Sequence, residues 1–189
     1  MCGLCTLLSA DRNAAEHLEA LEQSLQCMRH RGPDAAGTWH DEDAAFGFNR
    51  LSIIDLEHSD QPLRWGPEDN PERYALTFNG EIYNYVELRE ELTAAGYSFN
   101  TQGDGEPIVV GYHHWGKDVV EHLRGMFGFV IWDTETRTMF AARDQFGIKP
   151  LYYATTDKGT VFASEMKCIL GMADSLGLDL GLDKRAVEH

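Results

Sequence analysis

Met1-Cys2-Gly3-Leu4-Cys5-Thr6-Leu7-Leu8-Ser9 opens the chain, and the rest is read outward from it. Residues 2–8 are short and apolar, which predicts a strand starting at the second residue. Methionine aminopeptidases clip the initiator when the next side chain is small, as cysteine is. The clipped chain would carry a thiol and a free α-amine on one residue. An α-amine has a pKa of about 7.7–8.0, so a fair fraction is unprotonated at working pH and can accept a proton. Nucleophile and base would then come from a single residue. The plain alternative is a buried free cysteine near a fraying end.

Cys2 and Cys5 also form a Cys-x-x-Cys, a spacing used in redox and zinc sites. Zinc would want a second close pair, but Cys27 and Cys168 stand alone and His113 and His114 are adjacent. A thioredoxin-type motif should follow a strand, and here nothing precedes it. Cys5 is therefore expected in the core, on the first strand.

The chain has 189 residues, of which 43% are hydrophobic and 11% aromatic, enough for one domain with a sizeable core. A formal net charge of −15 opposes nucleic-acid phosphates and anionic lipid, so neither is an expected partner. No apolar run approaches the roughly 18–20 residues of a membrane span. No secretory signal is visible, which predicts a cytoplasmic protein. Four cysteines are too few for a disulfide scaffold in a chain of this size.

Downstream, Asn13 and Glu16 suggest a capping box, and Ala14, Leu18, Leu21, Leu25 and Met28 mark one helix face ending before Gly32-Pro33. Residues 38–39 and 44–48 read as a strand pair, with residues 51–54 following. Residues 57–73 are polar with three prolines and read as a loop. Residues 74–78 form a strand ending at Asn79-Gly80. Asn84 and Glu87 could cap a second helix with Tyr85, Leu88, Leu92 and Ala95 on its buried face, and Pro107 sits in the first turn of a third, to Trp115. Residues 126–132, 138–142, 151–154 and 160–163 suggest one antiparallel meander, and Ser164 starts a last helix. Residues 183–189 resemble the first turns of another. Strands and helices come in runs rather than alternating, which argues for antiparallel sheets with helices packed on them.

Asn79-Gly80 is a favoured tight-turn pair, yet the residues after it lead toward a helix. Such a corner would expose backbone N–H groups beside the Asn79 amide, and those donors could hold an oxyanion. Arg50, between apolar segments, is either a snorkelling edge residue or a carboxylate clamp. Asp104, in Gly103-Asp104-Gly105-Glu106, is either a helix cap or a carboxylate aimed at a ligand ammonium. His30 is either a general base or a helix-end histidine facing the dipole. Residues 143–153, RDQFGIKPLYY, hold Asp144 and Lys149 and read as structural.

Taken together, MCGLC, RHRGPD at 29–34, FNRLSIID at 48–55, FNGEIYN at 78–84, GDGE at 103–106 and RDQFGIKPLYY resemble the glutaminase domain of asparagine synthetases. Those enzymes are class II glutamine amidotransferases with an N-terminal cysteine nucleophile. The resemblance covers residues 2–170, and Arg50-Leu51-Ser52-Ile53 matches the asparagine synthetase pattern rather than that of relatives acting on sugar phosphates. The family usually reads Cys-Gly-Ile and then a glycine where this chain has Cys5-Thr6, and a proline after Arg-Asp where it has Gln145; both departures look structural.

The resemblance implies an α+β fold of N-terminal-nucleophile hydrolase type, a four-layer α/β/β/α sandwich of two antiparallel sheets. It implies Cys2 as nucleophile with its own amine as base, and Asn79 and Gly80 as oxyanion hole. Arg50 would hold the α-carboxylate of L-glutamine and Asp104 its α-ammonium, with backbone groups near Leu51, Ile54 and Glu81 completing the pocket. No metal or cofactor is implied for this domain. ATP and magnesium belong to a C-terminal synthetase domain whose Ser-Gly-Gly-x-Asp-Ser loop does not occur here. The chain is thus expected to release ammonia but not to make asparagine, with residues 1–170 as the amidotransferase domain and 171–189 as a tail. A catalytically silent glutamine-binding module and a Cys-x-x-Cys redox or zinc protein are the competing functions, and the sequence leaves open whether the domain forms a homodimer.

Overall fold

Strand β1 (Gly3–Ser9) is buried along nearly its whole length because both of its faces are covered. Successive side chains point to opposite faces. Leu4 joins Phe46, Phe48, Val130 and Trp132 in one core cluster, while Cys5 and Leu7 join Leu21, Leu25 and Met28 in another. These contacts come from a computed structural model that describes residues 1–52, 55 and 60–181.

β1 sits at the centre of a five-stranded antiparallel sheet. Its neighbours are β3 (Ala44–Arg50), with Gly3 opposite Asn49, and β9 (Gly159–Ala163), with Cys5 opposite Ala163. β2 (Ala35–His40) and β8 (Tyr152–Thr156) form the edges. A second antiparallel sheet runs β4 (Leu63–Trp65), β5 (Tyr74–Ile82), β6 (Gly125–Asp133), β7 (Thr138–Arg143).

Helices α1 (Leu18–Cys27), α5 (Met166–Gly171) and α6 (Ala173–Leu176) cover the outer face of the first sheet. Helices α2 (Tyr85–Ala94), α3 (Glu106–Trp115) and α4 (Val119–His122) cover that of the second, where Leu88, Leu92, Ile108 and Val119 pack on Leu76, Phe78, Phe129 and Ile131. The inner faces meet through Leu4, Phe46, Phe48, Ala75, Val130 and Trp132. Three core layers between four layers of structure make this an α/β/β/α sandwich of class α+β, as the motifs implied. No helix among the described residues is long and apolar enough to cross a membrane.

Several local expectations differ from the fold. The strand expected over 74–78 does not turn at Asn79-Gly80. It continues to Ile82 because β6 offers a partner for every residue, with Asn79 opposite Gly128 and Gly80 opposite Phe127. The loop expected over 57–73 contains β4, whose Leu63 and Trp65 are buried and pair with Leu76 and Tyr74. The expected meander over 126–163 is split. After β7 the chain crosses between sheets, so β6 and β7 belong to one and β8 and β9 to the other.

Asn13 makes no side-chain cap bond. A 3-10 turn over Ala14–His17 precedes α1 instead. Asn84 makes no cap bond either: its amide spans to the backbone of His122 and Arg124, tying the start of α2 to the approach to β6. The helix expected from Ser164 starts at Met166, and the Ser164 hydroxyl accepts the Leu4 N–H. Leu51 and Ser52 are irregular, while Ile53, Ile54 and residues 183–189 lie outside the described residues.

Candidate functional site

At one end of the gap between the sheets, the start of β1 meets the end of β3 and the middle of β5. A cavity of about 300 Å³ opens there, with Cys2, Arg50, Leu51, Asn79, Gly80, Glu81 and Asp104 on its wall. Seven of the eight residues expected in a site are thus brought together. The eighth, Ile54, lies outside the described residues. Met1, Gln61, Gly105, Met126 and Lys149 also line the cavity.

Cys2 is held by both its side chain and its backbone. Its Sγ accepts the Leu51 N–H at 3.3 Å, and its carbonyl accepts the Arg31 Nε–H at 2.9 Å. Arg31 is anchored in turn by Glu165 at 3.1 Å. Burial pushes the Cys2 thiol above its ordinary pKa. The Leu51 N–H and the positive charges of the N-terminus, Arg50 and Arg31 bring it back only in part. Such a thiol stays protonated at neutral pH, so an attack through sulfur needs a base. Cys5, an odd number of residues away along the strand, faces the helix-side core instead, where burial raises its thiol strongly. The two cysteines therefore do not share a site, and all four cysteines are free thiols.

β5 supplies the donors. Its odd residues bond to β6, as the Tyr83 N–H to Arg124 C=O bond just beyond the strand fixes by register. Its even residues face the other edge, where β4 covers only Tyr74 and Leu76. Beyond β4, the Gln61 side chain takes both backbone groups of Phe78, accepting its N–H at 2.6 Å and donating to its carbonyl at 3.2 Å. The Ile82 N–H is taken by Asp104 Oδ2 at 2.9 Å. Between them the Gly80 N–H faces the cavity with no partner among the described residues. Only glycine fits there, since a Cβ would run into the Met126 carbonyl oxygen. Asn79 is 1% exposed and its Nδ2 also lacks a partner among the described residues. A buried amide donor left unpaired costs about 1–3 kcal/mol, so two such donors at one cavity wall mark a place for an oxygen.

The cavity wall also carries charged groups. Arg50 ends β3 with a side chain 8% exposed, donating to Asp60 Oδ1 at 2.8 Å and to the Asp55 carbonyl at 2.6 Å. Asp60 is 82% exposed, so it holds the guanidinium only as a solvated surface carboxylate does and can give way to another. Asp104 does not cap α3, whose N-cap is Gly105. Burial raises the Asp104 pKa despite the Ile82 N–H, and Glu81 adds to the rise. A ligand ammonium would relieve it. The described residues hold no group of three His, Cys, Asp or Glu side chains arranged for a metal.

His30, considered above as a base, is exposed and bonds Glu165 outside the cavity. The segment 143–153 was expected to be only structural. Asp144 is, but Lys149 reaches the cavity. Only a lysine between apolar residues signalled this, and a snorkelling side chain gives the same signal.

A family model described as a glutamine amidotransferase domain matches residues 1–189. A Mycobacterium tuberculosis protein provisionally named a glutamine-hydrolysing asparagine synthetase is 55% identical over 200 residues, spanning 100% of this chain and 31% of the relative. Asparagine synthetase (glutamine-hydrolysing) 1 of Bacillus subtilis is 46% identical, with 100% and 29% covered. The chain therefore spans about a third of the length of these curated relatives. Among solved structures, the glutamine phosphoribosylpyrophosphate amidotransferase of B. subtilis superposes with a TM-score of 0.71 at 22% identity, over 93% of this chain and 44% of that one. That similarity carries the fold alone.

Proposed function

The chain belongs to the glutamine amidotransferase domain family, and on that premise we propose that it hydrolyses L-glutamine to L-glutamate and ammonia through a γ-glutamyl thioester on Cys2. The observation that carries the reading is the pair of donors without a partner among the described residues, Asn79 Nδ2 and the Gly80 N–H, on the wall of the cavity that holds the Cys2 thiol.

The α-amine of Cys2, freed by loss of Met1, takes the thiol proton as sulfur attacks the amide carbon. The carbonyl oxygen becomes an anion between Asn79 and Gly80. Collapse expels the amine, which leaves as ammonia with the proton held by the α-ammonium. Water then cleaves the thioester. Arg50 holds the α-carboxylate in place of Asp60, and Asp104 holds the α-ammonium. Leu51, Ile54 and Glu81 complete the pocket through backbone groups. The names of the relatives extend the reading: in a longer protein the ammonia passes to an ATP-dependent domain that makes asparagine, a role consistent with a cytoplasmic setting.

Intact mass of the purified chain before and after a glutamine-mimicking alkylator tests the core of this. We expect loss of Met1, one adduct on Cys2, and glutamate produced from glutamine. Adduct formation without glutamate would leave a binding module, and an adduct on Cys5 would remove Cys2 from the mechanism.

A further inference from the structure

Lys149 is 7% exposed, yet no carboxylate among the described residues lies within ion-pair distance of its ammonium. Its Nζ donates to the Met1 thioether at 3.4 Å, and a thioether is a weak acceptor. A buried ammonium without an anion is costly, which calls for a ligand. The Met1 contact is also one that N-terminal processing removes.

The sheet register says which end of the cavity Lys149 serves. Gly128 stands directly opposite Asn79, and cross-strand partners project side chains to the same face. A Cβ on Gly128 would meet the Leu151 Cβ and the Pro150 carbonyl oxygen at 3.5 Å and the Lys149 Cβ at 4.0 Å. Residues 149–151 thus pass over the glycine opposite Asn79, which brings Lys149 to the Asn79 side of the cavity, where the reading puts the reacting end. Asp144 does not neutralise it, because that carboxylate is spent on the backbone N–H groups of Phe127, Phe146, Ile148 and Lys149 itself.

We propose that Lys149 is a further catalytic residue, whose ammonium binds the γ-carboxylate of glutamate as it forms on hydrolysis of the Cys2 thioester. The inference rests on the reading of Cys2 as nucleophile. Water adds to the γ-carbonyl carbon and gives one proton to the Cys2 amine. The C–S bond breaks with its electron pair on sulfur, and sulfur takes that proton. The new carboxyl group loses its remaining proton to solvent and becomes the anion that Lys149 holds. Glutamine itself offers only a neutral amide at this end, so Lys149 separates product from substrate by charge. The other charged groups around the cavity are Arg50, Glu81 and Asp104 on its wall and Arg31 beside Cys2.

The test compares wild type, Lys149→Met and Lys149→Arg, each with Met1 removed and with folding checked by thermal melting. Lys149→Met should slow turnover and weaken inhibition by glutamate about ten- to a hundredfold, the scale of a hydrogen bond to a charged group. The KM for glutamine should move far less, and the γ-glutamyl enzyme should accumulate in intact-mass spectra. Lys149→Arg should retain glutamate inhibition. If the methionine variant does not fold, Lys149→Gln carries the same comparison.

Unchanged glutamate inhibition overturns the proposal. So does equal weakening of glutamate and glutamine, which a merely structural lysine produces. A displaced acid limb of the pH–rate profile with unchanged glutamate inhibition also overturns it, assigning Lys149 to the amine instead. A processed wild type that makes no glutamate defeats the glutaminase reading itself.

Discussion

Asn79 is legible in the sequence only as half of a turn pair, and the structure gives its amide a different setting. Its side chain is buried in a continuous strand, with Nδ2 unpaired among the described residues and the adjacent Gly80 N–H turned to the cavity. A donor aimed at an oxyanion acts only once charge develops. Asn79→Ala should therefore lower turnover by about 10²–10³-fold, the usual cost of losing one such donor, with little change in glutamine affinity. Asn79→Asp keeps the size but puts an acceptor where a donor is needed, and should be at least as inactive. Steady-state rates with melting curves check this; a destabilised but fully active alanine variant removes Asn79 from the mechanism. Asp104 gives a pH signature. Burial holds its carboxyl above the ordinary range in the free protein, and a bound ammonium favours the ionised form. Glutamine should bind best above that raised pKa and progressively weaker as pH falls through it. The KM for glutamine measured against pH should rise on the acid side in wild type, and that rise should be absent in Asp104→Asn, which binds weakly throughout.

The turn from β7 to β8 shows what the sequence conceals at the scale of elements. RDQFGIKPLYY reads as one more connection in a meander, because strand periodicity does not say which sheet a strand joins. Here Asp144 collects four backbone N–H groups and turns the chain from one sheet to the other, placing Lys149 at the cavity on the way. Burial raises the Asp144 pKa, but those N–H groups outweigh it and leave the carboxyl below its ordinary range. A lowered carboxylate pKa adds stability that is present above the unfolded pKa and lost as pH falls through the folded one. Asp144→Asn, which turns a donor toward those N–H groups, should cost about 1–3 kcal/mol at neutral pH, the penalty for buried groups left unpaired. Denaturant melts at several pH values should show the gap to wild type closing in acid; a gap independent of pH would mean that charge is not what holds the turn. The same limit explains the other misreadings. β4 is three residues between prolines, too short for periodicity to register. β5 outruns its apolar run because β6 pairs all of it, a property of the partner and not of Asn79-Gly80. Residues announced by residue type, Cys2, Arg50 and Asp104, were legible. Gln61, Arg31 and Lys149 were not, since their places at the cavity come from what lies across from them.

Across the whole molecule, the two sheets must hold a fixed spacing, because the Cys2 thiol comes from one and the Asn79 and Gly80 donors from the other. The layer between them is apolar apart from a few groups, and at its centre the hydroxyls of Thr6 on β1 and Thr77 on β5 meet at 3.1 Å. Both residues are fully buried. The pair is a direct polar link between the sheets, on the strand that follows Cys2 and the strand that carries the donors. Thr6→Val alone strands the Thr77 hydroxyl in an apolar layer, and Thr77→Val strands that of Thr6. Each should cost about 1–3 kcal/mol, the penalty for a buried group left unsatisfied. Replacing both with valine removes the two hydroxyls together at nearly constant shape, which can be close to neutral. The double variant should then be more stable than either single one, a coupling that urea melts of the four proteins measure directly. If the costs simply add, each hydroxyl has its own means of satisfaction and the pair does not join the sheets. Glutaminase rates on the same four proteins separate stability from placement. With the spacing set by Leu4, Phe46, Phe48, Val130 and Trp132, the double variant should keep wild-type turnover per folded molecule.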